Sequence, residues 1–274
     1  MSQASSGNET GIEALLALMA RLRDPQAGCP WDREQTLESI VPHTIEEAYE
    51  VAEAIETGML EGLADELGDL LFQVVFYARI AEEAGIFDFA AVVSAIRAKL
   101  VRRHPHVFAG APIADAQAQA RAWEQHKRAE RGAHAQGALA GVALALPALT
   151  RAAKLQRRAA TVGFDWPAPG PVFAKVREEL GELEQALDGG HGSMQVQEEC
   201  GDLLFACVNL ARHLGVDPER ALRSASRKFE RRFAAVESGL SARGLRPDEA
   251  TLAQMDALWE DAKARERDGA PPTA

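Results

Sequence analysis

The sequence is poor in cysteine and has no long apolar run, and each absence excludes a class of protein. Its three cysteines, Cys29, Cys200 and Cys207, cannot all pair within one chain, so we expect reduced, buried thiols rather than a disulfide scaffold. No apolar stretch reaches the roughly 20 residues that span a bilayer. Residues 1–8 also lack the basic-then-apolar pattern of a signal peptide. We therefore expect a soluble cytoplasmic protein.

Positive charge and phosphate-binding loops are scarce as well. The net charge is −11 and the pI is near 5.2, which argues against a surface that lies along nucleic acid. Neither Gly-x-x-x-x-Gly-Lys nor Gly-x-Gly-x-x-Gly occurs, so the common glycine-loop nucleotide sites are excluded. A free nucleotide is still compatible with this charge, because a small anion needs only a few local cations and a metal ion.

Strand-like alternation is absent, whereas apolar residues recur at helical spacing along most of the chain. We therefore predict an all-α protein. The expected helices are 12–22, 44–57, 63–84, 89–103, 116–131, 172–187, 194–213, 218–241 and 248–265. The pattern Thr44-x-x-Glu47 is also that of a capping box, which would begin the second of these helices at Thr44.

The chain carries one unit twice. The letters Gly-Asp-Leu-Leu-Phe occupy both Gly68 to Phe72 and Gly201 to Phe205, an offset of 133 residues, and the pair Ala-Arg recurs later at the same offset. A stretch rich in small residues separates the two copies. The sequence therefore predicts two tandem helical-bundle domains, at 10–131 and 146–266, joined by a linker at 132–145.

Acidic side chains in each copy have the spacing of a single site. Residues three apart on a helix share a face, so two packed helices can direct four carboxylates at one point. The pairs are Glu179 with Glu182 and Glu199 with Asp202 in the second copy, and Glu47 with Glu50 and Glu66 with Asp69 in the first. Carboxylates without histidine or cysteine favour Mg²⁺ or Mn²⁺, because zinc prefers nitrogen or sulfur. A di-iron bundle is disfavoured, since no glutamate has a histidine three residues after it.

Simpler interpretations exist for parts of this pattern. A lone Glu-x-x-Glu is usually a solvated helix face, and Glu47 could serve only to cap a helix. Neither account explains acidic residues inside apolar helices in both copies. Gly68 and Gly201 cost each helix about 1 kcal/mol relative to alanine. Either a tight helix crossing or the close approach of a ligand would explain them.

Basic and aromatic residues supply further candidates. Lys228 and Arg232 lie four apart on one helical face, and Lys99 and Arg103 repeat them in the first copy. These basic side chains suit either of two roles: binding a polyphosphate, or forming surface ion pairs with nearby glutamates. Trp166 and Trp259 are candidates to stack on a base, although a tryptophan in a helical protein more often packs in the core or at an interface.

Several motifs together resemble the MazG family, the two-domain all-α nucleoside triphosphate pyrophosphohydrolases. The resemblance covers about residues 11–262. Besides Glu-Glu-x-x-Glu and Glu-x-x-Asp, the motifs are Cys29-Pro-Trp-Asp-Arg-Glu-Gln-Thr36, Arg103-His-Pro-His-Val-Phe108, Val162-Gly-Phe-Asp-Trp166 and Lys228-Phe-Glu-Arg-Arg-Phe233. The carboxylate motif alone is shared with dimeric dUTPases and phosphoribosyl-ATP pyrophosphohydrolases.

The resemblance implies hydrolysis of NTPs and dNTPs to the monophosphate and pyrophosphate, by water attack at the α-phosphate. It assigns Mg²⁺, or Mn²⁺, to Glu179, Glu182, Glu199 and Asp202. The set Glu47, Glu50, Glu66 and Asp69 would be a second site. The C-terminal unit is the active one in better characterised members, but the N-terminal set of this sequence is also complete. Nucleotide contacts would come from Lys127, Lys175, Glu178, Glu198, Lys228, Arg232 and Trp259.

The resemblance also implies how these residues act. Glu178 or a metal-bound glutamate, Glu179 or Glu182, would orient or deprotonate the attacking water. Lys228 and Arg232 would neutralise charge on the leaving pyrophosphate. By analogy with the family, the units would pair into bundles across a homodimer, with no nucleic acid and no membrane as partner. The alternative is a non-catalytic helical protein that binds a metal or nucleotide without turnover.

Overall fold

The computed structural model describes residues 11–110, 115, 119, 137–189 and 192–267. The chain divides into two units, Met1–Glu130 (unit 1) and Arg131–Ala274 (unit 2). All regular elements of the described residues are helical, which confirms the all-α prediction. None of the helices in these ranges combines the length and apolar character needed to cross a bilayer. The helix expected at 116–131 falls outside the described residues, apart from an isolated position.

Unit 1 is built around two long helices that pack against each other. Met19, Ile40, Val75 and Phe76 form its buried core, and the first helix packs on the fourth. Gly58, with φ of +76°, ends the third helix as a left-handed cap, as expected. The elements are α1 (Ile12–Leu22), α2 (Pro30–Glu34), α3 (Leu37–Thr57), α4 (Leu63–Glu83), α5 (Phe89–Arg103) and α6 (Pro105–Phe108).

The start of α3 differs from the prediction. Thr36 caps the helix and forms a reciprocal capping box with Ser39, so α3 begins before Pro42 and includes it. Thr44 therefore lies inside the helix, where its hydroxyl donates to the carbonyl oxygen of Ile40 at 3.1 Å. The predicted capping box of Thr44 with Glu47 is wrong, and capping no longer accounts for Glu47.

Unit 2 repeats the pair of long helices. Its elements are α7 (Ala148–Ala160), α8 (Pro169–Asp188), α9 (Ser193–His213), α10 (Pro218–Ser241), a 3₁₀ turn (Pro247–Glu249) and α11 (Leu252–Arg267). α9 packs on both α8 and α7, and α10 packs on α11. Asp217 caps α10 by accepting from the Arg220 N–H at 2.9 Å, with Pro218 in the first position, as expected. The last helix begins later than predicted because the 3₁₀ turn precedes it.

Each long pair has apolar side chains that are exposed among the described residues of its unit. Leu71 of α4 is 41% exposed, and the matching Leu204 of α9 is 55% exposed. Cys200 and Cys207 share the face of Leu204 and are exposed, while Cys29 is partly exposed. The cysteines are free, as expected, but the expectation that they are buried is wrong, since Cys200 and Cys207 are exposed and Cys29 is partly exposed.

A charged triad joins α1, α2 and α4 in unit 1. The guanidinium of Arg23 is buried and lies 2.7 Å from a carboxylate oxygen of Glu83, and Arg79 lies 2.7 Å from the other oxygen. Arg23 also donates to the carbonyl oxygens of Asp32 and Gln35, which tie α2 to this corner. Burial alone would raise the pKa of Glu83, but the hydrogen bonds from Arg23 and Arg79 outweigh it and lower that pKa.

We expect Glu83→Gln to destabilise unit 1 by about 2 kcal/mol at neutral pH, because it leaves the buried Arg23 without its counter-charge. A carboxylate with a lowered pKa stabilises the fold above its unfolded pKa and loses that contribution as pH falls through the folded pKa. The difference between variant and wild type should therefore shrink in acid. Urea unfolding at neutral and acidic pH measures it. Glu82→Gln is the control, because Glu82 contacts only the exposed edge of this triad through Arg79, and an equal loss in both variants would contradict the prediction.

Candidate metal centre and adjoining cavity

The α8–α9 contact gathers three acidic side chains of unit 2 into one cluster. Glu179 from α8 meets Glu199 and Asp202 from α9, with one carboxylate oxygen from each within 4.8 Å of the others. Glu179 is buried, Glu199 is partly buried and Asp202 is exposed. Geometry of this kind follows from the helical spacing, since acidic residues near the middle of two packed helices face the same seam.

Unit 1 contains the corresponding cluster. Glu47 of α3 meets Glu66 and Asp69 of α4, again with carboxylate oxygens within 4.8 Å of one another. Burial raises the pKa of Glu47, and a hydrogen bond with Glu50 and the charge of Asp69 raise it further. Glu50 therefore lies beside this group but is not one of the three residues whose carboxylate oxygens lie within 4.8 Å of one another.

Glu182 has the same relation to the cluster of unit 2. Burial raises its pKa, and the negative charges of Glu179, Glu178 and Glu199 act in the same direction, while Lys175 opposes them. Glu182 therefore lies close enough to the cluster for the negative charges of its neighbours to act on its carboxyl group. The structure thus brings three predicted carboxylates of each unit together and leaves the fourth within reach of their charge.

Lys175 provides a positive charge beside the carboxylate cluster of unit 2. Its ammonium nitrogen lies 2.8 Å from a carboxylate oxygen of Glu178 and 2.8 Å from one of Glu179. The hydrogen bonds to Glu178 and Glu179 raise the pKa of Lys175, so the ammonium is charged at any physiological pH. A buried carboxylate needs such a partner, because an uncompensated charge is costly away from water.

The donor set of each cluster fits a hard cation. All three ligand candidates in each group are carboxylates, and neither group contains histidine or cysteine. Mg²⁺ and Mn²⁺ prefer such oxygen donors, and they retain waters that can be exchanged for phosphate oxygens. The clusters can therefore hold a metal ion that also binds a phosphorylated ligand.

A cavity of about 340 Å³ adjoins the cluster of unit 2, and Glu179 and Asp202 form part of its wall. Its volume is at the lower end of the range of about 300–1,000 Å³ typical of small-molecule sites. Most of the lining is apolar and includes Leu155, Ala159, Phe164, Trp166, Val172 and Phe205. Of these, sequence analysis identified only Trp166 as a candidate contact. The motif Val162-Gly-Phe-Asp-Trp166 was the available signal for Phe164.

Arg212 fastens one wall of this cavity. Its guanidinium lies 2.9 Å from Asp165 Oδ2 and donates to Asn209 Oδ1 at 2.9 Å and 2.7 Å. The hydrogen bond from Arg212 is the main reason why the pKa of Asp165 is lowered, and His213 adds to it at 3.0 Å. These contacts hold the turn that carries Phe164 and Trp166 against α9. Sequence analysis recognised Arg212 only as part of the repeat.

The same position is filled differently in unit 1. Asn209 corresponds to Phe76 at the repeat offset, and Phe76 is buried against Phe72, at 5.7 Å between ring centroids, and Trp31, at 6.4 Å. A cavity of about 600 Å³ beside Glu50 and Glu66 has a strongly acidic wall instead. The two carboxylate clusters therefore have unlike surroundings.

Other predicted contacts lie on different elements. Arg232 of α10 lies 2.7 Å from Glu266 and 5.7 Å from the centre of the Trp259 ring, which packs on Phe229. Lys228 and Glu198 are exposed. Lys127 lies outside the described residues. The predicted contacts thus form two groups: Lys175 and Glu178 beside the carboxylates, and Arg232 with Trp259 between α10 and α11.

The two glycines of the repeated motif have open surroundings. A Cβ atom added to Gly68 or Gly201 would meet nothing within 4 Å. A tight crossing with another described helix therefore does not explain them.

Comparison with known proteins places these features in a family. The family model described as the MazG nucleotide pyrophosphohydrolase domain matches residues 35–108 and 171–236, one copy in each unit. A nucleoside triphosphate pyrophosphohydrolase of Escherichia coli K12 is 51% identical over 259 residues, which cover 94% of this chain and 98% of the relative. The nucleoside triphosphate pyrophosphohydrolase/pyrophosphatase MazG of Thermotoga maritima is 44% identical over 257 residues, covering 93% and 97%.

Lys175→Met should strengthen Mn²⁺ binding by unit 2 roughly three- to tenfold, because it removes a positive charge that competes for Glu179. Calorimetric titration in an Asp69→Asn background isolates the cluster of unit 2. Lys263→Met, which removes an ammonium paired with Glu260 on α11, is the control and should leave affinity unchanged. Weaker binding in Lys175→Met would instead mean that the lysine is needed to position Glu179.

Proposed function

The chain belongs to the MazG nucleotide pyrophosphohydrolase family, and from this premise we propose that it hydrolyses nucleoside triphosphates to the monophosphate and pyrophosphate. The two relatives described above are named for this activity and match nearly the whole chain. The observation that carries the proposal is the cluster of Glu179, Glu199 and Asp202 at the mouth of a cavity of nucleoside size. The non-catalytic alternative does not explain the names of these relatives.

Magnesium is the proposed metal, and Mn²⁺ would suit the same donors. Glu179, Glu199 and Asp202 would hold it, with Glu182 as a fourth carboxylate. The bound metal would polarise the α-phosphate and a water molecule, and so favour displacement of pyrophosphate. The oxygen-only donor set supports this assignment.

Glu178 is the proposed base or orienting group for the attacking water. Its carboxylate is held 2.8 Å from the ammonium of Lys175, which also holds Glu179. Lys175 therefore keeps both acids beside the reacting phosphate and can neutralise part of its charge. Lys228 and Arg232 would neutralise the leaving pyrophosphate, and Glu198, Trp259 and Lys127 would contact other parts of the nucleotide.

Unit 2 is the proposed active unit. Its cluster opens onto an apolar cavity, whereas Phe76 and Trp31 pack at the matching place in unit 1. A metal could bind in both units, but the cavity beside the cluster of unit 2 is lined mostly by apolar residues, whereas the lining of the one beside Glu50 and Glu66 in unit 1 includes four glutamates. We also propose the domain boundaries inferred from the sequence repeat, which are 10–131 and 146–266 with the linker 132–145.

Asp202→Asn should reduce pyrophosphate release from NTPs at least a hundredfold, because the metal cluster of unit 2 loses a charged ligand. Asp69→Asn makes the identical change in unit 1 and should retain most of the activity. A coupled assay for pyrophosphate, run with Mg²⁺ and with a chelator, compares the two variants. If Asp69→Asn is the inactive variant, the assignment of the active unit is wrong. Release of orthophosphate by wild type would place the cleavage at another bond.

Homodimerisation is proposed from the uncovered helix faces. Leu71 and Leu204 occupy matching positions, and each is exposed within its own chain beside a glycine with open surroundings. A second copy that covers these faces would bury them and complete the bundles. By analogy with the family, each site would then draw on residues of both chains.

Leu204→Glu should convert the dimer to a monomer and lower activity, because it places a charge in the proposed interface. Light scattering coupled to size-exclusion chromatography measures the mass. Leu252→Glu is the control, since Leu252 is 78% exposed at the start of α11 and lies away from this face. A monomeric wild type with full activity would contradict the proposal.

A further inference from the structure

We propose that Glu266 of α11 is the counter-ion of Arg232 in the unliganded protein, and that the phosphates of a bound nucleotide displace it. Glu266 would thereby set the affinity of α10 for polyphosphate. The inference rests on the proposed function, in which Arg232 and Lys228 neutralise the leaving pyrophosphate. It assigns a role to a residue that neither the carboxylate cluster nor the basic pair on α10 includes.

The first observation is the part of Arg232 that Glu266 occupies. The Nε atom and one terminal nitrogen of the guanidinium both donate to the same carboxylate oxygen, Glu266 Oε2, at 2.9 Å and 2.7 Å. Arginine binds phosphate through two parallel N–H groups on one edge of its planar fork, and the edge held by Glu266 is of this kind. The carboxylate and a phosphate would therefore compete for the same donors.

The second observation is a second contact that positions Arg232. Its guanidinium lies over the ring of Trp259, 5.7 Å from the ring centre. Trp259 lies about two turns before Glu266 on α11, so one face of that helix presents both the ring and the carboxylate to Arg232. The side chain of Arg232 is only 18% exposed. Because the ring stays in contact, the guanidinium can keep its place when the carboxylate leaves.

The third observation is the excess of positive charge around Glu266. A terminal nitrogen of Arg231 lies 3.7 Å from its other carboxylate oxygen. The hydrogen bond from Arg232 lowers the pKa of Glu266, and the charges of Arg232, Arg231 and Lys228 lower it further. One carboxylate thus faces three cations of α10. A pyrophosphate carries more negative charge than a carboxylate, so it would neutralise this group more completely.

The position of Glu266 along α11 makes its displacement inexpensive. The helix ends at Arg267, so Glu266 lies in its last turn, where the backbone carbonyls lack intrahelical partners and local opening costs little. Its side chain is 36% exposed and can turn towards water. Trp259 packs on Phe229, at 5.2 Å between ring centroids, well before the end of the helix. The carboxylate can therefore move away without disturbing the contact between α10 and α11.

Glu266→Gln tests the displacement, because it keeps the shape of the side chain and removes its charge. It should strengthen the binding of pyrophosphate in the presence of Mg²⁺ roughly three- to tenfold, since the ligand no longer has to displace a charged partner. Isothermal titration calorimetry measures this affinity without turnover. The KM for ATP should fall by a similar factor, with kcat changed less than about twofold. Damage to the fold would weaken binding, so a gain in affinity distinguishes competition from a structural role.

Two further variants serve as controls. Glu249→Gln makes the same change just before the opposite end of α11, where the carboxylate lies 3.5 Å from Arg246, and it should leave the affinity for pyrophosphate unchanged. Arg232→Met removes the partner of Glu266. In that background Glu266→Gln should alter the affinity by less than about twofold, because the pair that it breaks is already absent.

The remaining outcomes would contradict the inference in different ways. An unchanged affinity in Glu266→Gln would reduce the contact to a surface ion pair. Weaker binding would mean that Glu266 orients Arg232 for phosphate rather than competing with it. An equal gain in Glu249→Gln would attribute the effect to net charge. A wild type that releases no pyrophosphate from any NTP would instead refute the proposed function, and the pyrophosphate titrations would show separately whether Glu266 is displaced.

Discussion

The structure of unit 2 depends on a cluster of carboxylates at the contact between α8 and α9, where the buried Glu179 meets Glu199 and Asp202. Like charges this close repel, and removal of Glu179 from water adds to the cost. A positive charge must therefore accompany the cluster. Lys175 provides one from the preceding turn of α8, and a divalent metal would provide more. The packing of α8 on α9 thus brings the carboxylates together, and their mutual repulsion is what favours the binding of a metal ion there.

Duplication placed this arrangement in both halves, and later substitutions gave the halves different surroundings. The helix pair, the acidic residues and the open glycine are common to the two units. Phe76 packs on Phe72 in unit 1, whereas Arg212 holds the matching Asn209 in unit 2. The cavity beside the carboxylates is mostly apolar in unit 2, and four glutamates line the one in unit 1.

Sequence analysis predicted most helices and both acidic clusters because period and spacing are local properties. Leu63–Glu83 and Pro218–Ser241 began and ended as expected, since glycine and capping aspartate marked their ends. The start of α3 was missed because Thr44-x-x-Glu47 has the pattern of a capping box, whereas the helix is capped earlier, by Thr36 with Ser39. The exposure of Cys200 and the cavity beside Gln156 depend on tertiary packing. An apolar helix has the same sequence whether its own chain or a second copy covers it.

The most direct test is a crystal structure of the protein with Mn²⁺ and an NTP analogue that cannot be cleaved between the α- and β-phosphates. The account predicts an anomalous manganese peak bounded by Glu179, Glu199 and Asp202, with the α-phosphate beside it. Manganese bound elsewhere, with these carboxylates directed into solvent and the nucleotide distant from α8 and α9, would contradict it.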